Sequence, residues 1–177
     1  PAARVAYERV REIDAPQAVD TAPIEVLMAA KPNATIAGIA LLPLTDEAPD
    51  FPALRLAIKM LGGDADSRIW KRLREGDGLA YAAGARLRGS HFEPRSSVAL
   101  VASAASGKAD AALAGLREEL ARALADGFSE EEAARARRSW LEERKATLRA
   151  EKSYAGFLAE GLYSGQDYAW LARYDEK

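Results

Sequence analysis

Two side chains in this sequence combine a chemistry-bearing type with a constrained setting: Arg74 and Tyr81. A guanidinium and a phenol are both hydrogen-bond donors, and donors aimed at a carbonyl stabilise the negative oxygen that develops when it is attacked. The two stand on either side of a glycine turn, Gly76-Asp77-Gly78. A plainer account stays open beside this one. Arg74 can pair with a local carboxylate such as Glu75 or Asp77, and Tyr81 can pack under a helix.

Other chemistries find no residues. His91 is the single histidine and sits in a Gly/Ser/Pro-bounded loop, where it reads as a solvated hairpin residue. One histidine cannot supply the three protein ligands of a hydrolytic zinc, nor does it build a convincing serine triad. There is no cysteine, which excludes disulfides and thiol nucleophiles and leaves the compartment open. Gly76 and Gly78 follow a helix rather than a strand, the wrong context for a dinucleotide loop.

The elements around the pair are readable. Gly62-Gly63 stops one helix, on the expectation of a left-handed glycine after a helix end. Asp66 or Ser67 can cap the next, which spans about Ser67 to Glu75. From Leu79 the pattern becomes period two, predicting a strand to Arg88. Strict alternation places Leu79, Tyr81, Ala83, Ala85 and Leu87 on one face and Ala80, Ala82, Gly84 and Arg86 on the other.

This stretch resembles the second-half signature of the pitrilysin/insulinase family of zinc metallopeptidases, the inverted zincins. There the pattern is Leu-Arg, three variable residues, Gly or Gln, Leu, a small residue and Tyr. Here it is Leu73-Arg74-Glu75-Gly76-Asp77-Gly78-Leu79-Ala80-Tyr81. The Gly-Gly pair, Ser67-Arg68 and the run Leu120 to Trp140 also look like the family, and the resemblance covers roughly residues 33–174. It implies a C-terminal-half, non-zinc domain in which Arg74 and Tyr81 hold the substrate peptide backbone near the scissile bond. Catalytic residues and metal ligands in this chain are then none. The zinc is expected in a partner half or subunit carrying His-x-x-Glu-His, a motif absent here. Relatives of this type are often exported, which favours a periplasmic setting. Two rivals remain: an inactive, architectural homologue, like the family's core subunits of respiratory complexes, and an unrelated α+β protein-binding module.

The whole chain agrees with a single domain. It has 177 residues, 49% hydrophobic and 29% charged, enough for a real core. Its net charge of −2 gives no basic field for nucleic acid or an anionic membrane. No apolar run approaches the roughly 20 residues of a membrane helix. No signal peptide is read, and the chain begins at Pro1, so an excised piece of a longer protein is expected, cut before the family's last helix and strand.

In order, Val5 to Ile13 is a strand or arm, Asp14 to Pro23 a connector and Glu25 to Ala30 a strand. Thr35 to Leu44 reads as a buried central strand, limited by Pro43. A helix opens at Asp50-Phe51-Pro52 with Phe51, Leu54, Ile58 and Leu61 as its stripe. Ser96 to Ser103 returns antiparallel. A long helix from Ser106-Gly107 to Ala125 lines up Leu113, Leu116, Leu120 and Leu124. Ser129 and Glu132 have capping-box spacing for a second, about Glu130 to Glu151, with Trp140, Leu141 and Leu148 on its buried side. Its arginines alternate with glutamates, so it reads as a salt-bridged face. Ser153 to Tyr163 and Asp167 to Tyr174 are further helices. The fold class expected is α+β: two layers, an antiparallel-rich mixed sheet with helices on one face.

Overall fold

The computed structural model describes residues 25–26 and 31–176. The expectations for Val5 to Ile13, Asp14 to Pro23 and most of Glu25 to Ala30 lie outside those residues.

Among the described residues, three strands form one antiparallel sheet in the order β1-β3-β2: β1 (Asn33–Leu42), β2 (Ala80–Arg88) and β3 (Ser96–Ala105). β3 alternates cleanly. Ser96, Val98, Ala102 and Ala104 are buried, while Ser97, Ala99, Val101 and Ser103 face the other way. β3, not β1, is thus the middle strand of the three. The apolar run of β1 is buried on one face only, for Ile39 is 72% and Leu41 46% exposed. A continuous apolar run and a half-open strand cannot be told apart by periodicity.

The covered face carries α1 (Phe51–Gly62), α2 (Arg68–Trp70) with the π-helical turn that continues it (Lys71–Gly76), and α3 (Ala109–Asp126). The core joins Ile58 and Leu61 of α1, Ile69, Leu73, Ala85, Val98, Ala102, Ala112 and Leu116. The α3 stripe is turned from the one expected. Ala112, Gly115, Leu116 and Glu119 are buried and Leu120 and Ala123 pack against the core, whereas Leu124, one position past Ala123, is 79% exposed.

Gly62 and Gly63 do close α1, but not through a left-handed residue: Gly63 has φ −80°. Their reason is close approach. A Cβ on Gly62 would stand 2.2 Å from the Ala85 nitrogen, and one on Gly63 2.7 Å from the Lys59 Cα. No side chain fits between α1 and β2 at this point.

α4 (Glu130–Arg149) packs on α1, α5 (Glu151–Ser164) packs on α4, and α6 (Tyr168–Glu176) follows. The capping box of α4 is present: the Ser129 hydroxyl accepts from the Glu132 amide, and Glu132 accepts from the Ser129 amide. Lys59, buried in α1, bridges to Asp64 at 2.9 Å and to Glu143 of α4 at 2.7 Å. Burial pulls its pKa down, but the two carboxylates more than offset that and hold it above the usual lysine value. Arg55 ties α1 to α6 by donating to the Tyr174 hydroxyl at 2.8 Å.

Candidate peptide-binding site

The backbone between Arg74 and Tyr81 is irregular at both ends. After Trp70 the helix widens. The Asp77 amide donates to the Arg72 carbonyl five residues back at 2.8 Å, rather than four, so this turn holds one residue more than an α-turn. On the other side, β2 bulges. Ala80 pairs with Ala104 and Ala82 with Ser103, leaving Tyr81 as the extra residue. Both devices are over-represented at functional sites.

The bulge corrects the face assigned to Tyr81. Ala80 is 3% exposed and shares the core side with Ala83, Ala85 and Leu87, whereas Tyr81 is 55% exposed. Tyr81 therefore does not pack under a helix. A bulge is fixed by what the strand packs against, and alanines at 80, 82, 83 and 85 fit either register, so no local signal announces it.

The turn carrying the pair is held firmly. Leu73 is fully buried against Gly115 of α3, where an added Cβ would stand 3.1 Å from its Cδ1. Arg72 pairs with Glu118, with Glu119 at 3.0 Å and with Asp77 at 3.4 Å. Hydrogen bonds to Glu118 and then Glu119 push its pKa up. Gly78 takes φ +57°, a left-handed turn that suits glycine, and its carbonyl accepts from Lys108 Nζ at 2.8 Å. The Leu79 amide donates back to the Leu73 carbonyl at 2.8 Å. Against this frame Arg74 is exposed, and its side chain makes no hydrogen bond or ion pair with another described residue. Asp77, its expected local partner, is engaged by Arg72 instead. Ser67 stands at the N-cap of α2 but its hydroxyl donates to the Asp64 carbonyl at 2.5 Å, so it does not cap by its side chain.

His91 is not the solvated residue its loop suggested. Its side chain is 21% exposed, and its Nδ1 lies 3.0 Å from both Asp46 Oδ1 and Gln166 Nε2. Gln166 also donates to Asp46 Oδ2 at 3.1 Å and Glu47 Oε1 at 3.3 Å. The ring edge meets Phe92, which meets Tyr163 of α5. Sequence reasoning missed this tie because its four polar residues come from three separate loops. Asp46, Glu47 and His91 could bring one ligand atom each to a common point. With a single histidine, that donor set differs from the two-histidine ligand set of His-x-x-Glu-His.

The fold is an α+β domain with helices on one face of an antiparallel sheet, and the sequence lacks the His-x-x-Glu-His ligand motif of a zinc centre. The chain belongs to the family described as the peptidase M16 inactive domain, whose profile matches residues 6–139. This is the zinc-peptidase family to which the Leu73–Tyr81 signature pointed. Among solved structures it is similar to the inactive peptidase domain of a candidate zinc protease from Bordetella parapertussis, at 25% identity and TM-score 0.68, covering 85% of this chain and 80% of that one. A candidate zinc protease from Bordetella pertussis Tohama I gives 26% identity and TM-score 0.65, with coverage of 81% and 78%. A protease from Helicobacter pylori shares the fold at 18% identity and TM-score 0.72, covering 84% of this chain. The chain spans only 35% of that protease and 34% of the peptidase M16 inactive domain structure from Pseudomonas fluorescens. No curated protein matches it.

Proposed function

We propose that this domain closes the substrate chamber of a peptidase whose zinc-bearing half lies elsewhere, and that Arg74 and Tyr81 position the peptide backbone there. The observation that carries this reading is the pairing of two one-residue irregularities, a π-helical turn and a β-bulge, on either side of Gly78. Each presents one large donor to solvent, and the backbone between them is anchored by Leu73 and Lys108. Anchored donors lose little freedom on binding, so more of their hydrogen-bond energy appears in the complex.

Tyr81 and Arg74 would donate to carbonyl oxygens of a bound peptide. As a carbonyl carbon becomes tetrahedral its oxygen gains charge, and fixed donors hold that oxygen more strongly than the ground state. The zinc of the catalytic half would supply the activated water.

The test is kinetic. Combined with its zinc-bearing half, Tyr81→Phe keeps the ring and removes one donor. kcat is expected to fall by roughly ten- to a thousand-fold with the melting temperature unchanged. Arg74→Lys is expected to be damaging as well, because a point charge cannot copy the planar fork. Unchanged kcat in Tyr81→Phe would leave the domain as scaffold.

A further inference from the structure

The three strands contain no acidic residue, and their only charged residues are Arg86 and Arg88. Register fixes where these point. Arg86 lies opposite Ala99 and Arg88 opposite Ser97, the β3 residues that face away from α1 and α3. Across β3 stand Ile39, opposite Ala99, and Leu41, opposite Ser97. The face left open by the helices is therefore uncharged, made of small, apolar and hydroxyl side chains, with two guanidiniums along one side. Both arginines are exposed, and neither side chain makes a hydrogen bond or ion pair with another described residue. A single-sign face on a molecule of net charge −2 is complementary to an anionic partner.

We infer that this face selects peptide substrates bearing carboxylates at alternate positions. Residues i and i+2 of a strand share a face about 6.6–6.8 Å apart, which is the separation of the Arg86 and Arg88 Cα atoms and also of two acids spaced by one residue in an extended peptide. Ile39 and Leu41 give an apolar surface beside the arginines, across β3. Tyr81 lies on the same side of the same strand, so a peptide held by its backbone at Tyr81 runs on toward the arginines. The inference rests on the substrate-positioning role proposed above and adds the class of substrate.

The test uses fluorescein-labelled extended peptides and this chain, read by anisotropy at low and high salt. One peptide carries Glu-x-Glu in a Ser/Thr background; the others carry Gln-x-Gln, Lys-x-Lys or adjacent Glu-Glu. The Glu-x-Glu peptide is expected to bind about ten-fold more tightly than Gln-x-Gln at low salt, with the advantage shrinking as salt is raised. Arg86→Glu with Arg88→Glu is expected to reverse the preference toward Lys-x-Lys at an unchanged melting temperature, since neither arginine is packed. Equal binding of Glu-x-Glu and Gln-x-Gln, or an acidic preference that survives the double reversal, overturns the charge selection and leaves the positioning role standing. Failure of every peptide to bind overturns both. Tyr81→Phe separates them further: it should weaken all peptides alike.

Discussion

At the scale of single residues, the firmest polar contact on the site's helix is Arg68 with Glu132. Its Nε and Nη2 donate to the two carboxylate oxygens at 2.7 and 2.8 Å, and the guanidinium lies 4.5 Å over the Phe128 ring. Hydrogen bonds from Arg68 first, then from Ser129, hold the Glu132 pKa down at about 2 against the opposing effect of burial. A depressed carboxyl stabilises the fold fully above its unfolded value of 4.5, and that contribution is lost as pH falls through about 2. Melting curves from pH 7 to 2 should show the native chain losing stability in that window. Glu132→Gln should flatten that part of the profile and cost about 1–3 kcal/mol at neutral pH. The capping half of this contact was legible, because Ser129 and Glu132 are neighbours in sequence. The Arg68 half was not, because it spans 64 positions. The same divide holds for His91, whose partners come from two other loops.

At the scale of elements, the strands, the two long helices and their order were legible from period and punctuation. What escaped were the departures from period. Tyr81 was placed with Ala83 and Ala85 because alternation was carried through a bulge. The Gly62-Gly63 stop was rightly located, yet its cause is tertiary: α1 touches β2 there with no room for a side chain. Gly62→Ala should therefore destabilise by about 1–3 kcal/mol or more, through overpacking against backbone that cannot yield. Helix propensity alone would predict a gain of up to ~1 kcal/mol, so denaturant midpoints separate the two causes by sign. Leu73→Ala should cost about 2–5 kcal/mol. It should also weaken peptide binding more than an equally destabilising change in α4, since Leu73 seats the turn that carries Arg74.

At the scale of the whole molecule, the described helices leave one sheet face open, where Ile39, Leu41 and Tyr81 are all exposed. Such a face in a domain of a zinc-protease family calls for a partner. The chain alone should hydrolyse no peptide and should not retain zinc at micromolar affinity. Adding a chelator should leave its melting temperature unchanged, while chelator-sensitive peptidase activity should appear when a zinc-bearing half is supplied. Stoichiometric zinc on this chain would refute the division of labour proposed here. The expectation rests on a count of donors: one histidine and no cysteine. The open face follows from the expectation of helices on one side of the sheet only, although the apolar run of β1 taken by itself reads as a buried central strand.

The two irregularities flanking Gly78 also make segment length a heritable marker. Each is a place where the chain carries one residue more than a regular helix or ladder can use. Selection for stability alone would tend to trim them, since a straightened helix and an unbroken ladder recover ordinary hydrogen bonding. A descendant that no longer handles peptide should thus drift toward a shorter interval between the paired glycines and the strand. One that still does should keep the extra residues even where its surroundings change. Counting residues from Gly62 to Arg88 across such chains would sort working copies from retired ones without an assay.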